Sequence, residues 1–263
     1  GFFFSYLLFF IFFLGVGFFL GLQFGLFGHS LGWGCGSPGS PFTLNHTCGG
    51  VQRLLVVVFT GMRGSTTSWS VSDLTYNGVA LTQAAANERA GSTRNVRTEV
   101  WYLVNPPGGS SYQVSVTPSA VMHSYSLAAI SLTGVDQTTP VGSGGSDTGN
   151  KTGFSVGIST AVANAWLIGG AGVRNGNSSW SPGGSGVEVY DQSSGSSNTS
   201  DLVGCGDYLV CTSTGSYTLE ATASAADQGV MAAMAVNPAA SAAVDWVGDG
   251  VVLIGGGGGV WSF

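Results

Sequence analysis

Charged residues are scarce in this chain. They make up 8% of its 263 residues, with 7 Lys or Arg against 13 Asp or Glu and a net charge of −6. A nucleic-acid-binding protein needs clustered basic side chains on one face, so we expect no basic face and no nucleic-acid partner. A sparse, acidic and hydroxyl-rich surface is typical of secreted or surface-displayed proteins. We therefore expect an extracellular location.

Charge is missing altogether from the first 52 residues, and roughly the first 33 are almost unbroken apolar sequence. A helix of some 28 residues would be about 42 Å long, whereas a bilayer core needs only about 30 Å. A signal peptide has a basic start and an apolar run of about 7–15 residues, which fits poorly. We predict a hydrophobic helix over residues 1–33, lying in a membrane or against copies of itself, followed by a Pro/Gly neck at 34–52.

Glycines recur along this segment at the spacing of one helix face. Gly17, Gly21 and Gly25 lie four residues apart, and Gly28 begins a further such step. Small residues at this spacing let two helix backbones approach closely, and Gln23, roughly opposite them, could bond a neighbouring helix. We predict a continuous helix from residue 2 to about 30 that packs against the same helix of other copies. The alternative is that glycine, 44 residues in all, is simply abundant.

An uncharged apolar helix, a short neck and a β-rich domain together resemble the layout of type IV pilins, especially archaeal ones. The resemblance covers residues 1 to about 34. It implies a filament whose helices form the core and whose β-domains coat the outside. It also implies a membrane-bound state before assembly.

The remaining sequence is patterned as strands. A β-branched run at Leu54–Thr60 predicts a buried strand, and Asn77-Gly78 predicts a two-residue hairpin turn. No convincing amphipathic helix separates the short strands, so we predict a mainly β protein, an antiparallel Ig-like or jelly-roll β-sandwich over residues 53–240. Further strands are predicted at 97–104, 112–117, 125–132, 155–160, 166–173, 187–190, 217–222 and 230–236.

Four segments of this region, LTYNGVALT, EVWYLVNPPGG, ISLTGVDQTTP and AMAVNP, occur in that order. They resemble a β-sandwich domain of uncharacterised secreted and surface proteins. The resemblance implies an extracellular setting and brings no catalytic residues.

The four cysteines form two pairs that are close in sequence. An even number of cysteines in an exported chain indicates disulfides, and we predict Cys35–Cys48 and Cys205–Cys211 bonds. Zinc is the alternative, but it needs closely spaced cysteines with a histidine nearby, and CGDYLVC lacks that spacing.

Four Asn-x-Ser/Thr sequons predict N-glycosylation in exposed, turn-like stretches. Chance alone would supply about two sequons at this composition. The acceptors are Asn45, Asn150, Asn177 and Asn198.

The C-terminal segment, residues 241–263, contains five consecutive glycines before a final VWSF. We expect an edge strand at Val251–Ile254, followed by a flexible glycine linker and an apolar end that could dock on a neighbouring copy. An ordinary last strand with a frayed end is the alternative.

Catalytic and metal-binding patterns are missing from the sequence. His29, His46 and His123 share no metal-ligand spacing with carboxylates, and neither HExxH nor GxSxG occurs. We therefore predict no enzyme activity, no cofactor and no metal. The predicted function is a structural subunit of an extracellular filament built from copies of this chain. The alternatives are a membrane-anchored adhesive or carbohydrate-binding module, in which Trp69, Trp180 and Tyr190 would line one face, and a secreted hydrolase.

Overall fold

The structure is a computed structural model that describes residues 24–34, 41–194, 201–240, 243–247, 250–254 and 260–262. Every regular element in these ranges is a β-strand, and every strand pair is antiparallel. Within the same ranges, no helix has the length and hydropathy needed to cross a membrane. The prediction of a mainly β, antiparallel protein is confirmed.

Fifteen strands belong to one compact unit, Gln23–Ala240. They are β1 (Gly25–Gly34), β2 (Phe42–Thr47), β3 (Leu54–Arg63), β4 (Val71–Tyr76), β5 (Val79–Ala80), β6 (Thr82–Ala90), β7 (Asn95–Val104), β8 (Ser111–Pro118), β9 (Met122–Thr133), β10 (Val141–Thr160), β11 (Ala165–Val173), β12 (Trp180–Pro182), β13 (Val187–Ser193), β14 (Val203–Cys211) and β15 (Gly215–Val236).

These strands form three sheets. The five-stranded sheet has the order β1-β9-β3-β7-β6, and the four-stranded sheet has the order β2-β8-β4-β5. The third sheet has the order β10-β15-β11-β14-β13, with β12 paired to β15.

The five-stranded sheet lies between the other two and is buried on both faces. Along β3, the side chains of Leu55, Val57 and Phe59 pack with residues of the four-stranded sheet. The alternate residues of β3 pack with β11 and β15 of the third sheet. Because successive side chains of a strand point to opposite faces, a strand buried on both sides must be apolar at every position. This explains the continuous LLVVVF run.

A third core lies on the outer face of the third sheet. The long strands β10 and β15 pair along most of their length, but their register shifts between Lys151 and Gly153, where the hairpin bends. Beyond the bend, Phe154 and Leu219 pack on β11 and β14 together with Trp180. The far half of the hairpin therefore covers apolar surface that would otherwise face solvent.

Asn77 and Gly78 form the turn between β4 and β5, as the sequence predicts. Both have positive φ, 50° and 75°, which matches a type I′ turn. The left-handed backbone is strained for most residues, and Asn followed by Gly tolerates it best.

The predicted helix is wrong where the structure describes it. Gly25 and Gly28 lie on β1, which pairs with β9 from Gly25 to Gly34. Ser30 and Gly32 lie on the face toward β2, where the Ser30 hydroxyl contacts His46 and a Cβ on Gly32 would lie 4.0 Å from Leu44. The pilin-like layout is therefore not supported. The other predicted interface residues, Gly17, Gly21 and Gln23, lie outside the described residues.

Several other boundaries differ from the prediction. The expected neck at 34–52 contains β2, and the strands predicted at 217–222 and 230–236 are parts of the single strand β15. Strands β6 and β14 were not predicted, because alanine, glycine and aspartate have low strand propensity. Pairing on both sides of β14, with β11 and β13, outweighs that local preference.

A second unit contains three short strands near the C-terminus: β16 (Ala243–Val247), β17 (Gly250–Ile254) and β18 (Val260–Ser262). They form an antiparallel sheet in the order β16-β17-β18. The strand predicted at Val251–Ile254 is therefore the central strand of a small sheet and not an edge.

Candidate functional site

The predicted Cys205–Cys211 disulfide is not formed. Both cysteines are buried with free thiols, and both lie on β14. Six residues of extended strand span about 20 Å, whereas bridged cysteines need Cα atoms about 4.4–6.8 Å apart. Burial raises the pKa of both thiols, so they are inert core residues. Cys48 is also buried, and Cys35 lies outside the described residues, so that pairing stays a prediction.

Three of the predicted glycan acceptors are exposed. Asn45 lies on β2, Asn150 on β10 and Asn177 in the segment before β12. Two of these positions are in strands, not in turns as the sequence suggested. Asn198 lies outside the described residues. Glycosylation stays a prediction at all four.

A histidine–serine pair in the core resembles part of a catalytic constellation. The Nε2 atom of His46 lies 2.5 Å from the Ser131 Oγ, and its Nδ1 lies 3.0 Å from the Ser30 Oγ. A catalytic histidine of this kind needs an orienting carboxylate and an accessible nucleophile. Here the second partner is a serine, and the exposed fractions of His46 and Ser131 are 3% and 1%. These hydrogen bonds have a structural role, because they connect β1 and β2 to β9.

Burial lowers the pKa of His46 to about 4, and the nearby His29 adds to this shift. The imidazole is therefore neutral at physiological pH. It can donate from one ring nitrogen and accept at the other, as its two serine partners require.

Asp207 is a carboxyl group in an apolar core. Its Oδ2 lies 3.9 Å from the Cys205 Sγ, and its buried Oδ1 has no hydrogen-bond partner. Burial raises the pKa of Asp207 to about 7, with a further contribution from Glu188. A buried acid of this kind is a common feature of active sites, but Asp207 is only 1% exposed and is not accessible to a substrate.

Glu99 is a buried carboxylate that accepts hydrogen bonds from four different residues. It accepts hydrogen bonds from the backbone N–H of Val71 at 3.0 Å, Gln83 Nε2 at 2.7 Å and Trp101 Nε1 at 2.9 Å, and from the Arg97 guanidinium. A carboxylate has about four acceptor positions, so none remains for a substrate. Glu99 ties β7 to β4 and β6.

The described residues also contain no group of three or more His, Cys, Asp or Glu side chains placed to hold a metal ion.

One feature of the structure could not be seen in the sequence, namely the position of the cations. Antiparallel pairing brings the ends of β3, β6 and β11 to the same end of the sandwich as the starts of β7 and β9. This end, which we call the arginine-rich end, holds all the lysines and arginines except Arg53. They are Arg63, Arg89, Arg94, Arg97, Lys151 and Arg174.

Gln228 of β15 fixes part of this end. Its side-chain amide, 2% exposed, donates to the carbonyl oxygens of Arg89 and Arg94. A Cβ on Gly91 would clash with the Gln228 Oε1, so a larger residue there would displace this amide. The β6–β7 turn that carries Arg94 is thereby held against the third sheet.

Part of the positive charge is neutralised locally. Lys151 Nζ lies 2.7 Å from the Asp147 carboxylate and Arg174 lies 3.0 Å from Asp227. Arg97 contacts two carboxylates, Glu88 and Glu99.

Two arginines at this end donate to groups that carry no charge, and a third lies beside a glycine. Arg63 donates to the carbonyl oxygens of Thr67 and Ser68 at 3.4 Å, and Arg89 donates to the Asn150 amide oxygen at 3.4 Å. Arg94 has its guanidinium beside Gly64, where an added Cβ would lie 3.0 Å from it. Their charge is available to an anionic ligand.

An open groove of about 500 Å³ lies at this end of the sandwich, and Arg63 is part of its lining. It is lined by the end of β3 with the following turn and by the start of β9: Arg63, Gly64, Ser65, Val121, Met122 and His123. His123 Nε2 lies 3.3 Å from the Asp201 carboxylate. The volume falls within the range of small-molecule sites, about 300–1,000 Å³.

The aromatic residues that the sequence suggested for a binding face are in the core. Trp69, Trp180 and Tyr190 are 3%, 4% and 3% exposed. They cannot offer a platform on which neutral sugars could stack.

Comparisons with known proteins give no relative: no family, curated protein or solved structure matches the chain.

Proposed function

We propose that the chain is a non-enzymatic binding module displayed on a cell surface, and that its arginine-rich end binds acidic polysaccharide. The observation that carries the proposal is the concentration of six of the seven basic residues at one end of the sandwich, where Arg63 lines an open groove, in a protein of net charge −6. The helix-cored filament expected from the sequence is not proposed, because Gly25–Gly34 is a strand.

The chemistry of the site favours carboxylate or sulfate groups. Arginine presents a planar fork of donors that matches such anions, and these charge-assisted bonds are about twice as strong as neutral ones. Arg63 and Arg89 donate to uncharged groups and Arg94 lies beside Gly64, so an anion does not have to displace a carboxylate from these hydrogen bonds. Ser65 of the groove adds a hydroxyl group that can bond a sugar.

The size of the site favours a glycan over a nucleic acid. A nucleic acid strand carries a phosphate about every 3.4 Å and needs an extended basic track. Here Arg63 lines the groove and Arg94 lies beside Gly64 of its wall. Such a site suits a few anionic sugar units, while the net charge of −6 disfavours a longer polyanion.

Titration calorimetry with the full chain tests the proposal. We expect a uronate- or sulfate-containing oligosaccharide to bind, a neutral oligosaccharide of equal length not to bind, and the affinity to fall with added salt. Arg63→Gln and Arg94→Gln should each weaken binding by about 10- to 150-fold, since a hydrogen bond to a charged group contributes about 1.5–3 kcal/mol.

Arg53→Gln is the matched control, because it removes the same charge away from the arginine-rich end. Equal binding by the wild type and the Arg63→Gln/Arg94→Gln double variant would refute the proposal. So would preferential binding of the neutral sugar or of single-stranded nucleic acid.

A further inference from the structure

We propose that β1 pairs edge to edge with β1 of a second copy of this chain, joining two five-stranded sheets into one continuous antiparallel sheet. The inference rests on the two edges of the central sheet and does not depend on the ligand of the arginine-rich end.

One edge of the central sheet is protected. Strand β6 forms this edge and carries Glu88 and Arg89. Asn87 donates to the Ser146 hydroxyl of β10 at 3.1 Å, and Arg89 donates to Asn150 at 3.4 Å. Charged side chains and a covering element are two ways in which proteins prevent an edge strand from pairing with another chain.

The opposite edge has neither protection. Strand β1 ends the sheet in the described part of the chain, and its ten residues, GLFGHSLGWG, include no Lys, Arg, Asp, Glu or Pro. Its backbone pairs with β9 on one side only. A long, uncharged and apolar edge strand of this kind is a template for another strand.

The apolar side chains exposed on β1 are the largest on the described surface. Leu26, Phe27 and Trp33 are 38%, 51% and 50% exposed. The other large hydrophobic residues exposed in the described ranges are all valines: Val51, Val79, Val121, Val162, Val187 and Val210. Aromatic residues are enriched at interfaces relative to the rest of a protein surface.

Strand β1 is also held in the position that pairing requires. The Ser30 hydroxyl is hydrogen-bonded to His46 of β2 at 3.0 Å. Leu31 packs in the core between the central and third sheets. Phe24, just before β1, makes an edge-to-face contact with Trp166, with 4.7 Å between the ring centroids. Because the strand is ordered before association, a partner does not bear the entropic cost of ordering it.

A second copy is the occupant that fits this edge. Two identical strands pair antiparallel across a two-fold axis, so each contributes the same residues to the contact. Since β1 carries no Lys, Arg, Asp or Glu, no permanently charged side chains oppose each other across the axis. The regular part of the strand, Gly28–Gly34, is long enough to pair with its copy, and it includes the exposed Trp33.

Hydrogen exchange of the full chain at several concentrations, in a mild non-ionic detergent, tests the proposal. We expect the amides of residues 25–34 to exchange about 10-fold faster on dilution below the dimer dissociation constant, while those of β6 are unaffected. Light scattering on the same samples should show two copies at high concentration and one at low concentration.

Trp33→Lys places a charge on the edge and should abolish both the dimer and the concentration-dependent protection. Val210→Lys, at a valine 42% exposed on β14, is the control and should leave both unchanged. A protection of residues 25–34 that does not depend on concentration would overturn the proposal, and would indicate instead that another segment of the same chain covers this edge. An oligomer that persists in Trp33→Lys would also overturn it.

Discussion

Two buried ionisable groups, Asp207 and His46, should act on stability in opposite directions over the same pH range. The pKa of Asp207 is raised from 3.8 to about 7, so the folded protein retains a proton that the unfolded chain releases. Its contribution is fully present below pH 4 and is lost as the pH rises to about 7. One pKa unit corresponds to about 1.36 kcal/mol, so the loss is about 4 kcal/mol.

His46 has the opposite sign. Its pKa is lowered from 6.5 to about 4, so between these pH values the unfolded chain binds a proton that the folded protein does not bind. This contribution is present above pH 6.5 and is lost as the pH falls to about 4, by about 3 kcal/mol. In the wild type the two effects nearly cancel, and we expect a free energy of unfolding that changes little between pH 4 and 6.5.

The variants Asp207→Asn and His46→Gln separate the two contributions. With Asp207→Asn, only the histidine remains, and stability should rise by about 3 kcal/mol from pH 4 to 6.5. With His46→Gln, stability should fall by about 4 kcal/mol from pH 4 to 7. Urea unfolding followed by tryptophan fluorescence measures both, and the exposed Asp73→Asn serves as control. Profiles of either variant that run parallel to the wild type would refute the reasoning.

Three further predictions concern the core. Glu99→Ala leaves four donors without their acceptor and should cost about 3–5 kcal/mol, measured by urea unfolding. Gly206→Ala places a Cβ 2.2 Å from the Tyr190 ring and should lower stability by about 1–3 kcal/mol, visible as a lower melting temperature. Cys205 and Cys211 should react with a thiol reagent only after unfolding, since both are buried with raised pKa values, and non-reducing peptide mapping should find no bond between them.

Surface positions of the same residue type provide the controls. Glu88→Ala should cost less than about 1 kcal/mol, because it removes a partly exposed ion pair. Gly157→Ala should be tolerated, since a Cβ there meets no atom within 4 Å. A loss of stability in these controls equal to that of the core variants would contradict the packing argument, and a mapped Cys205–Cys211 bond would contradict the position of both residues on β14.

The features that the sequence determined alone are local ones. The β-branched run at Leu54–Thr60 specified a buried strand, because side chains of this type fit a pleated surface and leave no polar face. The Asn77-Gly78 pair specified a hairpin turn, because few other residues adopt two successive positive φ angles. Many short strands without amphipathic helices then sufficed to predict a mainly β, antiparallel protein.

The features decided by the tertiary structure depend on partners that are distant in the sequence. The sequence of β1 was interpreted as helical because an apolar run with regularly spaced glycines is compatible with either a helix or a strand. Only the pairing with β9 decides between the two. The sequence of β14, VGCGDYLVC, was interpreted as a loop closed by a disulfide. Its glycines became compatible with a strand because Gly206 leaves room for the ring of Tyr190.

The candidate site shows most clearly that a sequence does not reveal which distant residues lie together. Arg63, Arg94 and His123 are far apart along the chain, and seven basic residues in 263 predicted no basic face. The register of β3 against β7 and β9 brings them to one end of the sandwich. Composition sets how much charge a protein carries, whereas the pairing of distant strands sets where that charge lies.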